Sequence, residues 1–287
     1  MPRSARTIGR GAAVTAALLG GLGIGACATP AERAADAAAR LGLQRSVVPG
    51  DGFQHVLFER ANLGPASTLH VYLEGDGSPE RALRSVPPDP TPSQPLAMQL
   101  LALDPAPSLL LGRPCYHGAG PCSPWHWSEG RYGEDVVESM ATALRRIASE
   151  RGVQQLVLIG HSGGGTLAML LAERLPGVRA VVTVAGNLDV AAWTRHHGSA
   201  PLQGSLDPAT RSPLSRELVQ LHLVGGHDDQ VPPDVTAPMI ARQPSATRRL
   251  FPTFDHHCCW ASAWPAVLAD LDQRLAARTA ATDASGG

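Results

Sequence analysis

Ser162 lies among glycines, in Gly160-His161-Ser162-Gly163-Gly164, directly after the apolar run Leu156-Val157-Leu158-Ile159. A serine hydroxyl is a poor nucleophile at neutral pH. It needs an imidazole to take its proton, and that imidazole needs a carboxylate to fix its tautomer and stabilise its charged form. Two later stretches offer these groups, each just after a run that reads as a strand: Gly226-His227-Asp228-Asp229 follows residues 218–224, and Asp255-His256-His257 follows residues 248–251. The candidate set is Ser162 as nucleophile, Asp228 as acid and His256 as base. Asp229 and Asp189 remain open as other acids, and His257 as another base.

Such groups have to be held by a frame. A strand over 156–159 running into a helix over 166–175 makes the serine turn so tight that its neighbours cannot carry a bulky Cβ, which accounts for glycine at 160, 163 and 164. The same turn sets the N–H of Gly163 at the positive end of the helix, aimed at a developing oxyanion. A second donor is expected from the N–H of Gly75 or Asp76, in the glycine-rich turn Glu74-Gly75-Asp76-Gly77 that ends a strand over 68–73.

Further strands are expected at 53–60 (an edge strand), 108–112, 178–186 and 218–224, with helices at 95–103, 133–152 and 265–278. The 133–152 stretch carries Val136, Val137, Met140, Leu144 and Ile147 at helical spacing. Strands alternating with helices predict an α/β fold: a mostly parallel sheet, helices on both faces, and a ligand site at the carboxyl ends of the strands. Residues 187–217, with Trp193, His196 and His197, are long for a connection and read as a short cap or lid. Residues 79–95 are proline-rich and read as a surface loop. Trp125 and Trp127 suit either a substrate wall or packing onto the core.

The formal net charge of −1 gives no global field for nucleic acid, and all 24 basic residues are arginine. The lack of lysine excludes Schiff-base chemistry, a phosphate-loop lysine and a serine-lysine dyad. No cofactor or metal is called for. Zinc on His256, His257, Cys258 and Cys259 is disfavoured because four contiguous residues do not readily converge on one tetrahedral ion.

Arg3, Arg6 and Arg10 precede a short apolar run at 12–26, as in an export signal. Its end, Ile24-Gly25-Ala26-Cys27, resembles a bacterial lipobox, which implies a lipid anchor on Cys27 and a place in the cell envelope, on the periplasmic side of an outer membrane. Residues 28–45 then read as a linker or frayed helix, 46–278 as the folded domain and 279–287 as a disordered tail. In an oxidising compartment Cys115, Cys122, Cys258 and Cys259 permit three pairings, of which Cys115 with Cys122 closes a short loop and is favoured.

In order along the chain come Tyr72-Leu73-Glu74-Gly75-Asp76-Gly77, Arg113-Pro114-Cys115, the serine turn, Thr183-Val184-Ala185-Gly186-Asn187-Leu188-Asp189 and Gly204-Ser205-Leu206-Asp207-Pro208. Together they resemble a group of bacterial α/β-hydrolase lipoproteins, over nearly all of the mature chain. The resemblance implies the α/β-hydrolase fold and a serine-hydrolase site in the chain order Ser, Asp, His. It favours Asp228, which begins Asp-X-X-Val-Pro, and His256, which begins His-X-X-X-Trp. His161 departs from the tyrosine frequent there. The expected activity is hydrolysis of carboxylic esters on a small-molecule or lipid substrate. Amide or thioester hydrolysis, or a non-catalytic envelope binding role, are the alternatives.

Overall fold

A computed structural model describes residues 28–61, 66–77, 89–120 and 122–285. The expected export segment with Cys27, the expected turn at 62–65 and most of the expected 79–95 loop lie outside the described residues.

The described residues form an eight-stranded sheet: β1 (Leu43–Pro49), β2 (Gln54–Arg60), β3 (Thr68–Leu73), β4 (Ser108–Leu111), β5 (Gln155–His161), β6 (Val178–Val184), β7 (Val219–Gly225) and β8 (Ala246–Phe251). Their spatial order is β1-β2-β4-β3-β5-β6-β7-β8. β2 runs antiparallel to both β1 and β4, and every other pair is parallel. β2 is therefore not the edge strand expected of it. The edge is β1, in which only Leu43 and Val48 are buried, so its apolar signal is too sparse to read as a strand.

The helices are α1 (Pro30–Arg40), α2 (Leu96–Leu103), α3 (Glu134–Arg151), α4 (Gly163–Ala172), α5 (Val190–His196), α6 (Pro233–Ala241) and α7 (Trp260–Ser285). Strand residues alternate between two cores, as the period of two demands. Leu69, Val71, Leu156, Leu158 and Val181 face α3 and α4, whereas Tyr72, Val157, Ile159, Val182 and Leu221 face α2 and α7. Each fully buried Leu or Val contributes about 1.5–3 kcal/mol, and this two-sided burial makes the central strands continuous apolar runs.

Three expectations change. Residues 30–40, read as a linker or frayed helix, form α1: Thr29 accepts from the N–H of Glu32, Glu32 reciprocates, and Ala34 and Ala38 are buried. The last helix starts at Trp260, five residues before Pro265, because Trp260 and Trp264 lie one turn apart on its buried face. It continues through the expected tail to Ser285. Among the described residues no helix is long and apolar enough to cross a membrane.

Candidate active site

β5 ends at His161, and α4 begins at Gly163, three residues earlier than its sequence suggests. Ser162 alone makes the turn, with φ +54° and ψ −123°, a left-handed strain that the surroundings impose. Its N–H donates to Val184 O at 3.0 Å, and its carbonyl accepts from Gly165 and Asn187 at 2.9 and 3.0 Å. Side chains are excluded around it. A Cβ on Gly160 would stand 2.1 Å from Gly164 O, and one on Gly164 would stand 2.2 Å from Leu73 O.

The candidate acid and base come from the turns after β7 and β8. Asp228 is buried, and its Oδ1 accepts from the N–H groups of Gln230 and Val231 at 2.9 and 2.8 Å. His256 Nδ1 lies 2.9 Å from Asp228 Oδ2 and 3.1 Å from Oδ1, which fixes Nδ1 as the protonated nitrogen and leaves Nε2 with the lone pair. Asp255 Oδ1 ties down the His256 turn by accepting from the N–H groups of His257 and Cys258. Of the alternatives, Asp229 is exposed, Asp189 caps α5 by accepting from Ala192 N–H at 2.7 Å, and His257 is only half-buried.

His256 meets the elbow through His161. Their ring centroids are 4.9 Å apart, and His161 Nε2 donates to His256 O at 3.0 Å. Burial, with the neighbouring His256 ring, depresses the His161 pKa to about 3, so His161 stays neutral. Ser162 is partly exposed, and among the described residues its hydroxyl has no hydrogen-bond partner, His256 included. Serine–imidazole bonds of unliganded sites are commonly long and tighten on substrate.

Across from Ser162 runs the turn after β3. A Cβ on Gly75 would come within 3.0 Å of Ser162 Cβ. Among the described residues no acceptor takes the N–H of Gly75, Asp76 or Gly163, so all three are free to donate to a bound oxyanion. The Asp76 side chain has a different task. Its carboxylate receives Arg113 at 2.5 Å, Tyr132 OH at 2.5 Å and Arg131 at 3.3 Å, while Tyr116 OH donates to its carbonyl at 2.9 Å. Burial would raise the Asp76 pKa, but the guanidinium groups of Arg113 and Arg131 outweigh it and hold the carboxyl below its ordinary value. Burial also pushes Tyr116 up to about 12 against the pull of Arg113, so its hydroxyl remains a donor. Sequence reasoning missed this network. The available signal was Arg113 itself, a charged residue at the end of an apolar strand, here only 1% exposed.

Residues 187–217 contain α5 and a short 3-10 turn, Pro208–Thr210, and pack Leu202, Leu206, Ala209 and Leu214 against the α3–α4 core. Trp193 Nε1 donates to Gln230 O at 2.7 Å, which ties the segment to the Asp228 turn. Trp127 is buried with Tyr116 and Cys115, while the partly exposed Trp125 packs over Gly130 and Gly204. Cys115 is bridged to Cys122, with Cα atoms 5.5 Å apart, and Cys258 is bridged to Cys259.

No family model matches the chain, and no curated protein matches its sequence. Solved structures do. A proline iminopeptidase of Mycobacterium smegmatis superposes with TM-score 0.57 at 12% identity, over 83% of this chain and 100% of that one. An esterase of Pyrococcus furiosus gives 0.56 at 8% identity, over 84% and 91%. Est1E of Butyrivibrio proteoclasticus gives 0.55 at 13% identity, over 81% and 99%. With the strand order above, these likenesses show that the chain has the α/β-hydrolase fold.

Proposed function

We propose that the protein is a serine hydrolase acting on carboxylic esters. The observation that carries this reading is the pairing of His256 Nδ1 with the buried Asp228 carboxylate at 2.9 Å, beside a serine held at φ +54°. Ser162 Oγ attacks the ester carbonyl carbon while His256 Nε2 takes its proton. The carbonyl oxygen becomes an oxyanion facing the N–H of Gly163 and of Gly75 or Asp76. Collapse of the tetrahedral intermediate expels the alkoxide, which takes the proton from His256, and leaves an acyl group on Ser162. Water, deprotonated by His256, then releases the acid and restores the serine. An ester is put first because its alcohol leaves more readily than the amine of an amide.

Reaction of the mature chain with a fluorophosphonate probe tests this. Wild type is expected to label at Ser162, with labelling lost in Ser162→Ala and His256→Ala. A folded wild type that takes no label, or equal ester turnover by Ser162→Ala, sinks the reading. Cys27 is proposed as the lipid anchor that holds the enzyme in the cell envelope. Cys27→Ser is expected to move it from the membrane to the soluble fraction, and unchanged membrane association would refute the anchor.

A further inference from the structure

One ring nitrogen from each of His161, His256 and His257 lies within 4.8 Å of the other two. The ring centroids are 4.9 Å apart for His161 and His256, 4.9 Å for His256 and His257, and 5.6 Å for His161 and His257. Two of these rings already make the outer hydrogen bond that a ligating histidine uses. His161 gives its Nε2 proton to a backbone carbonyl at 3.0 Å, which leaves the lone pair on Nδ1. His256 gives its Nδ1 proton to the Asp228 carboxylate at 2.9 Å, which leaves the lone pair on Nε2. Such bonds fix the tautomer and raise the basicity of the free nitrogen. Among the described residues neither ring nitrogen of His257 is hydrogen-bonded, so this half-buried ring can turn toward the other two.

We infer that His161, His256 and His257 form a binding site for a divalent transition ion such as zinc, and that an ion held there blocks hydrolysis. Three imidazoles suit zinc, copper or nickel and not calcium or magnesium, which need oxygen ligands. Tetrahedral zinc at about 2.0–2.1 Å from each nitrogen sets the ligands about 3.3 Å apart, so the rings have to turn and close in on the ion. His161 comes from β5 and supplies the convergence that contiguous residues lack. Blockade follows because the ion occupies the lone pair of His256 that takes the Ser162 proton. This half of the inference rests on the serine-hydrolase reading, and the binding half does not.

Zinc is titrated calorimetrically into the mature chain without reductant, and cobalt(II) is followed in parallel by the visible absorption of tetrahedral nitrogen coordination. One equivalent is expected to bind wild type and Ser162→Ala alike, and to bind His257→Ala at least tenfold more weakly. His257→Gln serves as the second variant should the first fail to fold. His197→Ala controls for the exposed His196–His197 pair and is expected to leave binding intact. Ester turnover with zinc, relative to each variant's own metal-free rate, is expected to show an inhibition midpoint at least tenfold higher in His257→Ala. Equal zinc affinity in wild type and both His257 variants overturns the site, and zinc that binds without slowing an active wild type overturns the blockade. A wild type that binds zinc through His257 but hydrolyses no ester leaves the site standing and removes the hydrolase reading. An active wild type that zinc neither binds nor inhibits does the reverse.

Discussion

Asp228 and Asp229 are adjacent and chemically identical, yet only one can serve His256. Asp228 Oδ1 is held by two backbone N–H groups, so the carboxylate is aimed before the imidazole arrives, whereas Asp229 is exposed. Asp228→Asn keeps the volume but puts an amide donor against Nδ1 or breaks the aim, so the imidazole turns to the wrong tautomer. A loss of about 10³–10⁴ in kcat with a small change in KM is expected from steady-state ester hydrolysis. Asp229→Asn is expected to keep wild-type rates. If the two variants lose activity equally, the acid is misassigned. The pair also marks where residue-level reading reaches its limit. Sequence placed both carboxylates after β7, and a resemblance preferred Asp228, but the two N–H groups that decide between them belong to the folded turn.

At the scale of elements, the frame was legible where burial is two-sided. β3 matches its expected span, and the ends of α3 fall at the glycines that close its apolar period. Elements with little apolar signal were not legible: β1 buries two side chains, and α6 opens on consecutive prolines and contains Pro238, residues that argue against a helix. The Asp76 network escaped for another reason, since its members are spread from residue 76 to residue 132 and only the sheet brings them together. It joins the end of β3 to the segments after β4 and before α3, and so fixes the turn that carries two of the candidate oxyanion donors. Asp76→Asn leaves the buried Arg113 without a counter-charge, an error that costs about 3–5 kcal/mol in comparable buried pairs. Urea unfolding at pH 7 is expected to show a loss of that order. At a temperature where the variant is folded, kcat is expected to fall more than KM rises, because the donors are displaced. A loss below about 1 kcal/mol would mean that the network contributes little to holding the turn.

For the whole molecule, histidines buried in and beside the sheet set the response to acid. Burial lowers the pKa of His161 to about 3 and of His222 to about 4, and it also lowers that of His55. His222 has one bond, from Nδ1 to Thr183 Oγ1 at 2.9 Å, and its Nε2 has no partner among the described residues, so a proton gained there would be buried without an acceptor. Each group has a folded pKa below its unfolded value of 6.5. Above that value both states are neutral and the full stability is present. As pH falls below it the unfolded chain binds protons that the folded chain refuses, and stability declines by up to about 1.4 kcal/mol per pH unit for each histidine until the folded pKa is reached. The Asp76 carboxyl, depressed by its guanidinium partners, acts in a lower window: its contribution is intact above its unfolded value of 3.8 and is lost only below it. Urea midpoints measured at pH 7.5, 6.0 and 5.0 therefore isolate the histidines. His222→Asn keeps an acceptor or donor near Thr183 but cannot be protonated, so it is expected to start less stable at pH 7.5 and to lose less on acidification. Parallel pH profiles for wild type and variant would exclude His222 as a source of the acid response and would leave the decline to His161, His55 and His257, whose pKa values burial also lowers.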